Sequence, residues 1–332
     1  MKLALSALDL VPVSTGMSSG QAIQESLTLA RELDTLGYRR LWYAEHHNMP
    51  AIASTTPATM IALAAQQTER IRVGSGGVML PNHAPLQIAE TYKMLEAIHP
   101  GRIDLGIGRA PGTDQVTALA LRRSKEALLA NDFPARLDEL RELGSGEQRS
   151  HPFTGVTAFP EDVPLPPIWL LGSSDFSSAL AAQLGLGFAF AAHFSPDRPD
   201  LPMLGYRRQF RAVDALEAPH AILTLSVICA DTDAEAVRLA SSMQLSWVRL
   251  RAGRPTKIPS PEEALAYPYS EADLAAAEYY RRLQVVGTPE QVRQRIETLA
   301  ARTQADEVMV TTVTHDPAAR LHSYRLLAQA CA

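Results

Sequence analysis

The chain contains few cysteines, and the two that occur stand far apart. Among its 332 residues, only Cys229 and Cys331 could form a disulfide or bind a soft metal ion. Two thiols at this separation give neither the framework of a disulfide-rich protein nor the paired ligands of a zinc site. Their scarcity favours a reducing compartment, and we expect a cytoplasmic protein.

Long apolar runs and basic clusters are also absent. No run of 18 uncharged apolar residues occurs, which argues against a transmembrane helix. The opening MKLALSALDL is short and soon acidic, unlike a secretory signal peptide. Lys and Arg number 31 against 36 Asp and Glu, without a basic block, which argues against nucleic-acid binding. We therefore expect partners other than membranes and nucleic acids.

Short apolar runs alternate with segments of helical period. Such runs, typical of strands, occupy eight places: 2–8, 38–44, 70–80, 102–108, 167–172, 187–193, 221–230 and 305–313. Eight strand–helix units favour a (β/α)8 TIM barrel, and an open doubly wound sheet is the alternative that periodicity leaves open. Without internal repeats or a low-complexity linker, residues 1–332 are predicted to form one domain.

One segment is too long for a simple connection. Residues 249–288, between the seventh and eighth predicted strands, carry proline-rich and helical stretches. We interpret this segment as an insertion over the barrel mouth and as a candidate lid.

Polar residues follow the second predicted strand. In a barrel, functional groups gather at the carboxyl ends of the strands, and Glu45, His46 and His47 stand at such an end. Neighbours on an extended chain point to opposite sides, so one histidine can face the mouth as a general acid or base. Glu45 could then raise the pKa of that imidazole and fix its tautomer. Two satisfied rim histidines are the alternative, and adjacent histidines do not converge on one metal ion.

Two more strand ends carry unusual residues. Gly76 and Gly77 end the third strand, where backbone without Cβ atoms permits a flat ligand to approach, or simply forms a tight turn. Arg109 follows the fourth strand and suits a bound anion, or pairs with Asp114.

The fifth strand end is rich in serine. Ser173, Ser174 and Ser177 surround a predicted helix start, where free N–H groups and hydroxyls can hold phosphate. Simple capping by Ser174 or Asp175 explains the same residues.

Four motifs in order resemble the bacterial luciferase-like flavin monooxygenase family, and within it the single-chain, non-luminescent oxidoreductases of unassigned substrate. They are AEHHN, VGSGGVMLPNHAPLQIAE, HPGRIDLGIGR and VVGTPEQVRQRI. The resemblance implies a (β/α)8 barrel, usually dimeric, that uses reduced FMN from a separate NAD(P)H:flavin reductase. It also implies molecular oxygen as co-substrate and oxygenation of a small organic substrate through a flavin peroxide.

The resemblance also assigns roles to residues. His46 matches a histidine that assists proton transfer, and Gly76 and Gly77 match a pair joined by a cis peptide that supports the flavin ring. The residues that match the phosphate side are Arg109, Ser173, Ser174 and Ser177. A reactive cysteine of luciferase is replaced here by Gly108, which argues against bioluminescence, and Ser173 replaces an acidic residue of its phosphate segment.

These observations predict an FMN-dependent monooxygenase. Glu45 is expected to orient His46, and Asp9, at the end of the first strand, is expected to line the substrate side. The alternatives are a deazaflavin-dependent reductase on the same barrel, a flavin-binding protein without turnover, and a metal-dependent barrel hydrolase. The last is disfavoured because the sequence lacks a carboxylate–histidine ligand set. The organic substrate is not defined by these residues.

Overall fold

The structure is a computed structural model that describes residues 3–146, 153, 155–195, 198–213 and 216–331. Lys2, in the first predicted strand, lies outside the described residues.

The central feature is a parallel sheet that closes on itself. Its ten strands are β1 Ala4–Asp9, β2 Arg40–Tyr43, β3 Arg72–Ser75, β4 Val78–Met79, β5 Ile103–Gly108, β6 Ile168–Gly172, β7 Gly187–Ala191, β8 Ala221–Cys229, β9 Gln284–Gly287 and β10 Glu307–Thr311. β10 pairs with both β1 and β8, which closes a barrel through β2, β3, β5, β6 and β7. The predicted (β/α)8 barrel is confirmed.

Helices surround this barrel. They are α1 Ser19–Leu36, α2 Pro57–Gln66, α3 Pro85–Ile98, α4 Gln115–Arg122, α5 Lys125–Leu129, α6 Phe133–Ser145, α7 Asp175–Gln183, α8 Asp200–Gln209, α9 Asp233–Arg251, α10 Pro261–Ala266, α11 Glu271–Leu283, α12 Pro289–Thr303 and α13 Pro317–Ala330. Local signals set several ends: Ser18 caps α1 in a capping box, and Gly37 ends it with φ 80°.

The third predicted strand is divided in two. β3 ends at Ser75, β4 begins at Val78, and a cis peptide joins Gly76 to Gly77 between them. β3 and β4 both pair with β5, so the interruption leaves the barrel closed.

The predicted insertion contains a strand that sequence reasoning did not identify. β9 pairs in parallel with the second half of β8, whereas the first half of β8 pairs with β10. The insertion is also tied to the loop after β1: the N–H of Ile258 donates to the carbonyl of Val13 at 2.9 Å, and Ile258 accepts from Thr15 at 2.9 Å. The segment therefore lies beside the barrel mouth as an ordered part of the fold. That residues 1–332 form one domain stays a prediction.

The barrel interior is layered because inward side chains recur at every second residue. At the amino end of the strands, the Arg40 guanidinium donates from Nη1 to Asp104 Oδ2 at 2.8 Å and from Nε to Glu307 Oε1 at 3.0 Å. All three side chains are buried. Above this ion layer, Trp42 and Trp169 pack edge to face, with ring centroids 5.5 Å apart. Together these layers fill the barrel up to its mouth.

Replacing Arg40 tests the ion layer. Arg40→Met would leave Asp104 and Glu307 buried with less compensation, so we expect the free energy of unfolding to fall by roughly 3–5 kcal/mol. Arg39→Met is the matched control, because its side chain is 48% exposed and lies 3.5 Å from Glu307. That pair is expected to contribute less than about 1 kcal/mol. Equal losses for both variants in urea unfolding would contradict the interpretation.

Candidate functional site

A cavity of about 290 Å³ opens at the carboxyl ends of the strands. Its floor consists of apolar side chains from the upper barrel layers, among them Leu8, Trp42, Leu171, Ala189 and Met309. The cavity therefore begins where the packed interior ends.

His46 faces this cavity. Trp42, Ala44 and His46 follow the inward phase of β2, and all three line the cavity. The Nδ1 atom of His46 lies 3.1 Å from the carbonyl oxygen of Gly112, which only accepts hydrogen bonds. The proton of a neutral ring therefore sits on Nδ1 and leaves Nε2 as an acceptor. Burial lowers the pKa of His46 and outweighs this hydrogen bond, which favours the neutral ring.

Glu45 lies in the opposite phase and faces away from the cavity. Its carboxylate accepts from His47 Nε2 at 3.0 Å, from His83 Nε2 at 2.9 Å and from the N–H of Met79 at 2.9 Å. The prediction that Glu45 orients His46 is therefore wrong. The alternation that turns His46 inward turns Glu45 outward, where it joins the end of β4 and the loop that follows it to the end of β2.

Asp9 is also on the outer face of its strand. The side chain is buried, and its carboxylate accepts from Ser26 Oγ, from Arg320 Nη2 and from the N–H of Val11, each at 2.6 Å. The prediction that Asp9 lines the substrate side is wrong, because this carboxylate joins β1 to α1 and α13 beneath the rim.

The paired glycines form a wall of the cavity without side chains. A Cβ atom on Gly76 would lie 2.6 Å from Leu8 Cδ1, and one on Gly77 would lie 2.8 Å from the carbonyl oxygen of Gly106. Larger residues would therefore displace the barrel wall. The cis peptide that the resemblance implies at this place is present.

The polar residues lie together at another edge of the cavity. Arg109 places its guanidinium carbon 4.3 Å from the ring centroid of Phe176, in the first turn of α7. Ser173, Ser174 and Ser177 line the cavity at the same helix start. Ser174 is the N-cap residue, but its side chain makes no cap hydrogen bond within the described start of α7, so capping does not explain it. This edge combines a cation, hydroxyls and a helix N-terminus, the groups that bind phosphate.

Asp114, which the sequence offered as a partner for Arg109, makes its hydrogen bonds with other residues. Asp114 caps α4 by accepting from the N–H groups of Val116 and Thr117, both at 3.0 Å, and it also accepts from Asn48. Burial does not explain the low pKa of this exposed carboxyl, whose hydrogen bonds from Thr117 lower it most.

Sequence reasoning did not single out His193. It follows Ala189 and Ala191 in the inward phase of β7, and all three line the cavity. Its ring packs edge to face on Phe194, with centroids 4.7 Å apart. The signal was present as a histidine two residues beyond an inward-facing alanine, but only the barrel shows which phase points inward.

The insertion, whose residues 249–288 are all described, does not line this cavity. Leu250, Pro255 and Thr256 instead border a smaller apolar cavity of about 80 Å³ beside it. The interpretation of 249–288 as a lid over the main cavity is not supported by this arrangement.

Over the described residues, no cluster of three His, Cys, Asp or Glu side chains could hold a metal ion. None of the described helices combines the length and the apolar character that a membrane-spanning helix needs.

The family is decided by comparison with known proteins. The model of the luciferase-like monooxygenase family matches residues 3–307. The chain belongs to this family. The luciferase-like fold and the resemblance noted from the motifs are thereby confirmed.

Relatives match the luciferase-like chain over nearly its whole length. A luciferase-like monooxygenase of Escherichia coli (strain K12) is 41% identical over 324 residues, which cover 98% of this chain and 96% of the relative. N-acetyl-S-alkylcysteine monooxygenase of Bacillus subtilis (strain 168) is 30% identical, and the match covers 99% of this chain and 98% of the relative. The crystal structure of apo-MsnO8 has a TM-score of 0.90 at 38% identity and covers 99% and 98%.

More distant luciferase-like proteins bear on the cofactor. The oxygenase component of a flavin-dependent trigonelline monooxygenase from Acinetobacter baylyi is 25% identical and covers 87% of this chain and 83% of the relative. The oxygenating constituent of 3,6-diketocamphane monooxygenase from Pseudomonas putida, solved with FMN, has a TM-score of 0.72 at 20% identity and covers 99% and 97%, and shows the fold alone. An F420-dependent secondary alcohol dehydrogenase also shares the fold, at 14% identity. The relatives thus include flavin-dependent monooxygenases.

Replacing Glu45 tests its structural role. Burial would raise the pKa of this carboxyl, but the hydrogen bonds from His83, His47 and Met79 together lower it below its usual 4.5. The resulting stabilisation is present above about pH 4.5 and is lost as the pH falls through the lower folded-state value. Glu45→Gln is expected to lower the free energy of unfolding at pH 7 by about 1.5–3 kcal/mol.

The same variant should lose less stability on acidification than the wild type, measured by urea unfolding across the acid range. Glu235→Gln is the control, because its pair with Arg238 is exposed and contributes about 1 kcal/mol or less. An unchanged acid dependence in Glu45→Gln would contradict the assignment.

Proposed function

We propose that this chain is an FMN-dependent monooxygenase that uses reduced FMN and molecular oxygen to oxygenate a small organic substrate. One observation carries the proposal: the paired glycines, Arg109, the serine-rich start of α7 and His46 all line one cavity. They come from four different strand ends, and any one of them alone would have an ordinary structural explanation.

The residues of the cavity fit the cofactor. FMN combines a flat, largely apolar ring system with an anionic phosphate, and the cavity combines an apolar floor and a backbone wall with a cationic edge. Gly76 and Gly77 would face the ring, whereas Arg109 and the N-terminus of α7 would hold the phosphate. Bound reduced FMN would supply the electrons and the site at which oxygen is activated.

His46 is the residue proposed to move the proton. Its neutral ring is held by the Gly112 carbonyl through Nδ1, so the free Nε2 atom is the one that can take up and return a proton. The apolar floor around it excludes water, which limits the wasteful reduction of oxygen to hydrogen peroxide.

The partners are proposed from the family. The trigonelline relative is named as an oxygenase component, which supports a separate NAD(P)H:flavin reductase that delivers reduced FMN. A homodimer and a cytoplasmic location stay predictions from the resemblance and the composition. A deazaflavin-dependent reductase and flavin binding without turnover are the alternatives that a titration with both cofactors and a turnover measurement distinguish.

Arg109→Ala tests the phosphate edge. Loss of a charge-assisted hydrogen bond is expected to weaken FMN binding roughly tenfold to a hundredfold and to leave riboflavin, which has no phosphate, nearly unaffected. Flavin fluorescence titration measures both affinities. Arg208→Ala is the control of equal charge change, since this exposed residue ends α8 at the face opposite the mouth. Equal losses for FMN and riboflavin would show that Arg109 does not contact the phosphate.

The monooxygenase activity is tested through His46. The chain is loaded with photoreduced FMN and mixed with isotopically labelled oxygen and a panel of small organic compounds. We expect label in an organic product, and we expect His46→Ala to slow its formation roughly 100-fold or more with FMN affinity preserved. Because burial lowers the pKa of His46, the wild-type rate should fall with acidification only below about pH 6.5.

The control for this experiment is His99→Ala, since His99 ends α3 at the face opposite the mouth. Bound FMN that reoxidises at the rate of free FMN, with hydrogen peroxide as the sole product, would defeat the proposed activity. A large loss of FMN affinity in His46→Ala would assign that residue to binding.

A further inference from the structure

The mechanism leaves one cavity residue unexplained. The Nδ1 atom of His193 is buried and, among the residues that the structure describes, has no hydrogen-bond partner. A buried polar atom without a partner costs free energy, and native proteins rarely keep one unless a ligand or a function uses it. His193 lines the candidate site itself, so a ligand of that cavity is the group that can reach the ring.

The charge state of the ring defines what it can bind. Burial, together with the nearby His46, lowers the pKa of His193 to about 3, so the ring is neutral at physiological pH. A neutral imidazole carries one N–H donor and one lone-pair acceptor, which suits a hydroxyl group because a hydroxyl both accepts and donates. Phe194 contacts the ring edge to face and helps to hold it in place.

The position of the His193 ring indicates which part of the ligand it contacts. β7 is the neighbour of β6, and Gly172 of β6 pairs with Phe190 of β7. Ser173 therefore lies beside Ala191, and His193 lies one inward step above it on the same side of the cavity as the start of α7. That side holds the groups proposed for the phosphate, so the hydroxyls of the ribityl chain, which ends at the phosphate, would come within reach of His193 when FMN is bound.

We propose that His193 binds the flavin by exchanging hydrogen bonds with the hydroxyls of its ribityl chain. The proposal rests on the proposed function, and it adds a cofactor contact next to the phosphate edge, at the end of the strand that follows β6 around the barrel. His193 thus becomes a flavin-binding residue whose Nδ1 atom has no hydrogen-bond partner in the described part of the chain.

A pair of variants separates this role from a structural one. His193→Phe keeps the ring volume and removes the unpartnered nitrogen, so the unliganded variant should unfold at the same or a higher urea concentration than the wild type. Its affinity for FMN should nevertheless fall roughly threefold to tenfold, the effect of one neutral hydrogen bond. His193→Asn, which keeps a donor and an acceptor near Nδ1, should recover part of that loss.

The choice of ligand identifies the contact. FMN and riboflavin share the ribityl chain, so His193→Phe should weaken both by the same factor, in contrast to Arg109→Ala. Lumiflavin, the flavin ring without the ribityl chain, should bind the variant and the wild type with equal affinity. The same titrations on His99→Phe provide the control for a histidine outside the cavity.

Each other outcome overturns the inference. Unchanged FMN affinity in a folded His193→Phe would show that the ring does not contact the flavin. A loss confined to FMN would assign His193 to the phosphate, and an equal loss for lumiflavin would assign it to the ring. If the wild type binds none of the three flavins, the proposed function itself fails. That outcome differs from flavin binding that is unchanged in His193→Phe, which overturns only the inference about His193.

Discussion

The closure of the parallel sheet is the constraint on which the site depends. Because β10 pairs with both β1 and β8, the carboxyl ends of all barrel strands meet around one rim. Residues as distant in sequence as His46, Arg109 and His193 thereby line the same cavity. An open sheet built from the same strands would separate its two edges, and groups at those edges could not face each other.

The filling of the barrel explains why the cavity lies at its mouth. The ion layer around Arg40 and the packed indoles of Trp42 and Trp169 occupy the lower and middle interior. At the top, small residues such as Gly76 and Ala191 take the inward positions, so space remains there. The volume of the inward side chains therefore decreases from the floor to the rim. A ligand has space only at the rim, where the strand ends also carry polar residues.

The distribution of charge around the rim is equally ordered. Glu45 and Asp9 are held on the outer side of their strands by histidines, by Arg320 and by backbone N–H groups. Among the described residues that line the cavity, none is Asp or Glu, whereas Arg109 is a cation and the histidines there have lowered pKa values. A cavity that is apolar, neutral in its middle and cationic at one edge suits an uncharged ring with an anionic tail. The carboxylates meanwhile join the rim to the surrounding helices.

The sequence by itself determined the strand–helix alternation and which residues stand at strand ends, because these features depend on local periodicity and on cap and turn residues. Periodicity favoured the barrel but left an open doubly wound sheet as the alternative, and the resemblance of the motifs implied the barrel. It did not reveal α8, whose Pro202 and Gly205 obscure the helical period, or β9, which needs the far half of β8 as a partner. Only the tertiary structure decided that Glu45 and Asp9 face outward and that His193 faces inward. The physical reason is that neighbouring strand residues point to opposite sides, so the facing of each side chain depends on a one-residue phase that barrel closure sets.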